Sequence, residues 1–196
     1  MGRRPCSALR QSSTLSDPRL RRLIRPTCYD IFMDYRRYHQ RGAMVFITLV
    51  THRRAPVLLQ PLVNAALRQG VAHVARAHPM QTVAYVVLPD HCHLLWQLPE
   101  TDGDFSVRVR LVKHFMTRQP DLPHPIWQQR FWDHLIRDEE DFHRHLDYIH
   151  FNPVKHGHCR AAVDWRQSSF RTFLEESWYA PDWGVAADAD PSQFGE

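Results

Sequence analysis

The sequence lacks long apolar runs and has few cysteines, and both absences narrow the class of protein. No stretch of the 196 residues approaches the length of a membrane span, and the N-terminus lacks the apolar core of a signal peptide. The four cysteines, Cys6, Cys28, Cys92 and Cys159, form no CxxC pair, which argues against a disulfide framework or a zinc ribbon. We therefore expect a cytoplasmic protein with one folded domain, long enough to bury a real core.

Charge is unevenly distributed along the chain. Residues 1–34 contain seven Arg and three Asp, whereas residues 173–196 contain six acidic residues and no Lys or Arg. Residues 35–172 have 18 Lys or Arg against 12 Asp or Glu, and they contain all 14 histidines. Such a body suits a polyanionic partner, although ordinary solubilising charge explains it equally well.

Composition divides the chain into three segments. Residues 1–34, rich in Arg, Ser and Pro, are predicted to be disordered, or to be an extension ahead of a start at Met33. Residues 35–183 are predicted to form the folded domain. The acidic residues 184–196 are predicted to be a disordered tail.

Hydrophobic periodicity predicts the order strand, helix, strand, strand, helix, strand, helix. The first six elements are expected, in chain order, at residues 43–51, 57–78, 82–88, 91–98, 105–118 and 126–137. A last helix follows the acidic run 138–141 and is expected to end at Pro153. This order fits an α+β ferredoxin-like sandwich. Such a fold has an antiparallel sheet of four to five strands, helices on one face, and here a C-terminal helix that carries Tyr148.

The clearest chemical signal is the sequence LPDHCHLLW at residues 88–96. Successive side chains of a strand point to opposite faces, so His91 and His93 share one face and Cys92 points to the other, among the core residues. Two neighbouring imidazoles can hold one divalent cation, although most such pairs on strands bind nothing. Two ligands make a weak site, so a third ligand is needed.

A second signal lies about fifty residues further on, in HLDYIHFNPVK at residues 145–155. Tyr148 and Asn152 are four apart and therefore share one helix face. That face offers a nucleophilic hydroxyl and an amide oxygen that can bind metal. A metal held by His91, His93 and Asn152 would act as a Lewis acid on a phosphodiester beside Tyr148. The alternatives are a packed tyrosine and an asparagine that ends the helix.

Cys159, with His156 and His158 nearby, matches no zinc spacing, and we assign no metal there.

Basic and aromatic residues alternate in YRRYHQRG at residues 35–42. Such a strip can bind phosphates through Arg and stack bases on Tyr, or can simply be a solvated entry into the first strand. The candidate DNA contacts are Tyr35, Arg36, Arg37, Tyr38, Arg41, Lys113 and Lys155.

Three strings of the sequence together resemble one family. The triplet at residues 91–93 resembles the HUH motif (His, hydrophobic, His) of single-tyrosine nucleases. The strings VVLPDHCHLLWQLPE, IWQQRFWDHLIRDEEDFHRHLDYIHFNPVKHG and YRRYHQRGAMVFITLVT resemble the REP-associated tyrosine transposases of bacteria. The resemblance covers about residues 35–183.

This resemblance implies a metal-dependent endonuclease and strand transferase. Its substrate would be single-stranded DNA that bears repetitive extragenic palindrome (REP) hairpins, with a short guide tetranucleotide beside each hairpin. It implies Mg²⁺ or Mn²⁺ on His91, His93 and Asn152, and Tyr148 as the nucleophile that forms a 5′-phosphotyrosine and a free 3′-OH. Family members act as monomers or homodimers. The alternatives are a hairpin-binding protein without catalysis and a metal phosphoesterase that uses water.

Overall fold

A four-stranded antiparallel sheet is the centre of the fold in the computed structural model, which describes residues 40–186. Its strands are β1 (Met44–Val50), β2 (Gln81–Val87), β3 (His91–Gln97) and β4 (Trp132–Leu135). They pair in the order β2-β3-β1-β4, with every neighbouring pair antiparallel. This is the ferredoxin-like arrangement predicted from the element order.

Helices cover both faces of the sheet. They are α1 (Pro61–Ala77), α2 (Phe105–Thr117), α3 (Glu139–Lys155) and the short α4 (Phe170–Glu175). Single 3₁₀ turns lie at His52–Arg54 and Ala162–Asp164. None of the helices between residues 40 and 186 is both long and apolar enough to cross a membrane.

Strand β1 is apolar throughout because its two faces join different cores. Val45, Ile47 and Leu49 pack in one core with residues of α1 and α2. Met44 and Phe46 point to the other face and pack in a second core with α3. Helices α1 and α2 are thus the pair predicted for one face, and α3 is the separate helix predicted to carry Tyr148. The short α4 and a closing segment follow it.

Acidic residues cap two of the helices, α2 and α3, near the positions where the sequence suggested helix starts. The Val107 backbone N–H donates to Asp104 Oδ1 (2.9 Å) at the start of α2. The Asp141 N–H donates in the same way to Asp138 Oδ1 (2.8 Å) at the start of α3. Each cap satisfies a backbone donor that has no partner inside its helix.

The prediction that Pro153 ends its helix is wrong, because α3 continues through Pro153 to Lys155. A proline inside a helix removes one backbone hydrogen bond and crowds the carbonyl four residues earlier, yet α3 runs two residues beyond Pro153 before it stops. The end is set at Gly157, whose φ of +70° is left-handed. The His158 N–H then donates to Pro153 O (2.9 Å). Asn152 consequently sits inside regular helix and keeps its alignment with Tyr148.

Strand β4 is shorter than the expected span 126–137, and only Trp132–Leu135 pairs with β1. At the other end of the fold, backbone pairing continues to Ala186, whose N–H donates to Arg160 O (2.9 Å). The predicted tail boundary at residue 184 falls inside this pairing. The three-segment division remains a prediction, because residues 1–39 and 187–196 lie outside the described part of the chain.

Candidate active site

The two histidines of β3 lie side by side on the sheet face that α3 covers. In the antiparallel register His93 is opposite Thr48 and His91 is opposite Val50. The two imidazole centroids are 5.1 Å apart, and both side chains are buried. Cys92 points into the opposite core, as alternation predicts. Burial raises the pKa of the Cys92 thiol to about 12, so the thiol stays protonated.

Hydrogen bonds fix which nitrogen of His91 remains available. His91 Nδ1–H donates to Asp90 Oδ1 (2.6 Å), and Arg54 Nη1 donates to Asp90 Oδ2 (2.9 Å). Burial alone would raise the pKa of the Asp90 carboxyl, but these two partners outweigh it and hold the pKa below its usual value. A carboxylate on Nδ1 leaves Nε2 as the lone-pair donor, which is the arrangement of metal-binding histidines.

His93 presents a nitrogen without a partner. Its Nδ1 lies 2.9 Å from Thr48 Oγ1, whereas its Nε2 is buried and has no hydrogen bond within residues 40–186. Burial holds the pKa of His93 well below its ordinary value, and the neighbouring His91 lowers it further. The ring is therefore neutral near pH 7, the form in which imidazole binds metal.

Tyr148 extends from α3 toward this face, and Asn152 lies one helical turn further along the same helix. The Tyr148 ring centroid is 5.1 Å from that of His93, and Lys155 Nζ lies 5.1 Å from the Tyr148 centroid. Asn152 is fully buried, and neither of its amide atoms has a hydrogen-bond partner in the described part of the chain. A buried polar atom left unpaired costs about 1–3 kcal/mol. His93 Nε2 and Asn152 Oδ1 are unpaired atoms of types that bind divalent cations, so the chemistry of these residues fits a metal ion.

The structure also brings together histidines that the sequence reasoning did not select. The His156 ring, just after α3, lies 5.3 Å from the His91 ring. Burial lowers the pKa of His156, and His91 lowers it further. The proximity arises because α3 runs past Pro153. A helix that ended at Pro153, as predicted, gave no reason to place His156 beside His91.

A second polar cluster consists of His134, Asp141 and His145, whose potential ligand atoms lie within 4.8 Å of one another. His134 Nε2–H donates to Asp141 Oδ2 (2.7 Å), and His145 Nδ1–H donates to the Asp141 backbone carbonyl (2.8 Å). Burial alone would raise the pKa of Asp141, but the hydrogen bonds from His134 and the Arg137 N–H outweigh it and lower the pKa. The i, i+4 spacing of Asp141 and His145 was visible in the sequence. His134 belongs to another element, so the sequence did not predict that it would join Asp141 and His145.

His91, His93 and Tyr148 share one cavity of about 500 Å³ with the second cluster, whereas Asn152 is not among the residues that line it. Its wall combines imidazoles, aromatic rings and guanidinium groups. The lining residues are Phe46, Thr48, Val50, Arg54, His91, His93, Trp132, His134, Arg137, Asp141, Arg144, His145, Tyr148 and His156. A wall of this composition suits a nucleotide, with cations for phosphate and rings for the base.

The predicted DNA contacts are distributed over different parts of the molecule. Lys155 lies beside Tyr148, while Arg41 is exposed in the turn before β1. Lys113 lies on α2, on the far face of the sheet, where its ammonium donates to the carbonyls of Gln128 (2.9 Å) and Arg130 (3.3 Å). This geometry favours a structural role for Lys113. Tyr35, Arg36, Arg37 and Tyr38 lie outside the described residues.

Comparison with known proteins identifies relatives along most of the chain. No family model matches the sequence. An Escherichia coli REP-associated tyrosine transposase is 40% identical over 163 residues, which is 83% of this chain and 96% of that protein. A Haemophilus influenzae protein assigned to the same family is 40% identical over 170 residues, covering 79% and 95% of the two chains. A solved structure of a REP-associated tyrosine transposase bound to a REP hairpin is 40% identical, with a TM-score of 0.70. It covers 82% of this chain and 96% of that one.

These relatives place the chain in the class of transposases. Within that class it belongs to the family of REP-associated tyrosine transposases. The family and the fold predicted from the sequence are thereby confirmed. The roles of Tyr148, His91, His93, Asn152 and the DNA contacts remain predictions.

Proposed function

We propose that the protein cleaves and rejoins single-stranded DNA bearing REP hairpins, with Tyr148 as the nucleophile. The observation that carries this proposal is the 5.1 Å approach of the Tyr148 ring to His93, a buried imidazole whose Nε2 has no hydrogen-bond partner in residues 40–186. This proximity, at the wall of a cavity that suits a nucleotide, supports Tyr148 as a nucleophile beside a metal ligand. The solved relative that is bound to a REP hairpin supports the same substrate for this chain.

In the cleavage step the Tyr148 phenolic oxygen bonds to phosphorus and the bond from phosphorus to the 3′ oxygen breaks. The products are a 5′-phosphotyrosine and a strand that ends in a 3′-OH, after the leaving oxygen takes a proton from water. The phenolic proton passes to solvent or to a cavity imidazole. Rejoining is the reverse reaction, in which a 3′-OH attacks the phosphotyrosine and Tyr148 leaves. Because the covalent link conserves the phosphodiester bond energy, no external energy source is needed.

The chain's own residues orient the reactants. The Lys155 ammonium over the Tyr148 ring favours negative charge on the phenolic oxygen. Asp90 holds the imidazole of His91 in one tautomer, and Thr48 holds that of His93. His91, His93 and Asn152 would hold Mg²⁺ or Mn²⁺. When bound, such an ion supplies Lewis-acid stabilisation of charge on the phosphate oxygens.

The proximity of Tyr148 to His93 supports action by a single chain. Tyr148 and His93 are in ring contact within a single protomer. This contact supports action as a monomer, with a homodimer that exchanges the tyrosine as the alternative. We propose that the protein works on DNA in the cytoplasm.

The test uses end-labelled single-stranded REP hairpin DNA from beside this gene, incubated with Mg²⁺ or Mn²⁺. We expect a protein–DNA adduct that survives denaturation, and expect it to be absent in Tyr148→Phe and in His91→Ala. Tight hairpin binding without an adduct in either metal would instead indicate a binding protein without catalysis. Turnover without an adduct would indicate a phosphoesterase that uses water.

A further inference from the structure

Trp132 exposes a large aromatic ring at the edge of the cavity. Within residues 40–186, Leu62 and Trp132 are the large apolar side chains that are exposed, and 54% of Trp132 is accessible. A single exposed apolar residue is common and carries little meaning by itself. Trp132, however, lies on the edge strand β4 and lines the same cavity as Tyr148.

The sheet register places Trp132 in one row with His93, one of the proposed metal ligands. Thr48 on β1 is opposite His93 on β3 and also opposite Trp132 on β4. Residues directly opposite one another project on the same face. Adjacent strands are roughly 4.8 Å apart, so Trp132 starts roughly 10 Å across the sheet from His93. That separation matches the reach from a phosphate held at His93 to the base of a neighbouring unpaired nucleotide.

The orientation of the Trp132 ring is fixed by the residues behind it. Its plane is parallel to that of His134, within 5° at a centroid distance of 6.0 Å. His134 in turn stacks on His145 at 4.5 Å and 13°. Phe46 meets the indole nearly edge-on, at 5.6 Å and 75°. Asp141, which is buried, hydrogen-bonds His134 and thereby anchors the stack.

Two guanidinium groups lie at the same end of the cavity. Arg137 and Arg144 have side chains that are 70% and 63% exposed. Both guanidinium groups contact Asp141 only at long distances, 3.7 Å and 3.4 Å. Exposed cations beside an exposed aromatic ring form the combination that binds the phosphate and base of single-stranded nucleic acid.

We propose that Trp132 is the stacking platform for one unpaired base next to the phosphate that Tyr148 attacks, with Arg137 and Arg144 binding the adjoining backbone. This inference rests on the proposed function and adds a binding site for an unpaired nucleotide to it. Stacking recognises the π-face that all bases share, so the platform fixes the position of the strand and tolerates different bases.

The test measures equilibrium binding of labelled hairpins by fluorescence polarisation, in chelator so that no cleavage occurs. One hairpin carries a short unpaired 5′ tail, one a short unpaired 3′ tail, and one has no tail. We expect wild type to prefer one tailed hairpin. We expect Trp132→Ala to weaken binding of that hairpin by roughly 5- to 150-fold and to leave the tail-less hairpin unchanged. Trp132→Phe should retain most of the preference, and the matched control Leu62→Ala should retain all of it.

A second measurement needs no variant. The fluorescent base 2-aminopurine, placed in turn at each tail position, should be quenched on binding to wild type most strongly at one position, as ring stacking requires. Equal affinity of wild type for tailed and tail-less hairpins would overturn the proposal, as would an equal loss for all hairpins in Trp132→Ala. Failure of wild type to form a Tyr148 adduct would refute the proposed function. The tail preference measured in chelator would still show whether Trp132 stacks on an unpaired base.

Discussion

Asp90 provides the most direct test of the metal site, because it touches a proposed ligand without being one. Its Oδ1 accepts the 2.6 Å hydrogen bond from His91 Nδ1, and Asp90→Ala removes that bond. Loss of an outer partner of a metal-binding histidine typically costs 10- to 100-fold in metal affinity or activity. We therefore expect Asp90→Ala to raise the Mn²⁺ concentration for half-maximal adduct formation by roughly 10- to 100-fold.

The variant Arg54→Ala is the control that separates the loss of the His91 hydrogen bond from the loss of the ion pair between Arg54 and Asp90. Arg54 also contacts Asp90, at 2.9 Å, but its side chain is 63% exposed. An exposed pair contributes about 0–1 kcal/mol, so Arg54→Ala should shift the Mn²⁺ midpoint only slightly. Asp90→Asn keeps an acceptor oxygen opposite His91 and should fall between wild type and Asp90→Ala.

Two assays determine the result. Adduct yield is titrated against Mn²⁺, and Mn²⁺ binding is measured directly by electron paramagnetic resonance in the absence of DNA. The two midpoints should move together. An unchanged Mn²⁺ affinity in Asp90→Ala, with the protein folded, would refute the assignment of His91 as an oriented ligand.

Two further predictions concern DNA contact and pH. Lys155→Ala should weaken binding of single-stranded DNA measured by polarisation, whereas Lys113→Ala should not, because the Lys113 ammonium is bound to backbone carbonyls on the far face. An equal loss in both variants would contradict this. Burial lowers the pKa of His150 to about 3, far below the value of 6.5 expected when unfolded. The unfolded chain therefore binds a proton on His150 at a higher pH than the folded chain does. The folded state consequently loses stability relative to the unfolded state as pH falls below 6.5. Urea unfolding should show about 2 kcal/mol less stability at pH 5 than at pH 7 from this group, a loss absent in His150→Gln. Equal pH dependence of the two proteins would contradict the assignment.

Local sequence patterns predicted those parts of the site that lie within one element. Alternation along β3 was sufficient to place His91 and His93 on one face and Cys92 in the core. Helical spacing placed Tyr148 and Asn152 on a common face. Neither pattern requires knowledge of the partners across the sheet, which is why both survive in the three-dimensional structure.

Features that depend on pairing between elements could not be predicted. His134 joins Asp141 only because β4 pairs with β1 beneath the start of α3. The row from His93 to Trp132 likewise exists only in the observed register, and a shift of one residue would turn Trp132 to the other face. Pro153 misled the prediction in a different way. Pro153 does lie in the last turn of α3, but the helix end is set by Gly157 rather than by the proline.

The buried amide of Asn152 leads to a last prediction, which separates its proposed role as a metal ligand from its effect on stability. Its two amide atoms are buried without hydrogen bonds in residues 40–186, at a cost of about 1–3 kcal/mol each. Leu has the branching of Asn and no polar atoms, so Asn152→Leu should be neutral or stabilising in chelator, despite some cost from its extra volume. Asn152→Ala removes the amide without adding volume.

Metal should reverse the order of stability. A cation that binds only the folded protein stabilises it by about 2.7 kcal/mol at 100 times its Kd, which raises Tm by roughly 5–11 °C for a chain of this size. We expect Mn²⁺ to raise the Tm of wild type but to raise it far less in both Asn152 variants, which should also form no adduct. If either variant keeps the full Mn²⁺-dependent rise in Tm, Asn152 is not a ligand, and its unpaired amide must be satisfied by DNA or by water instead.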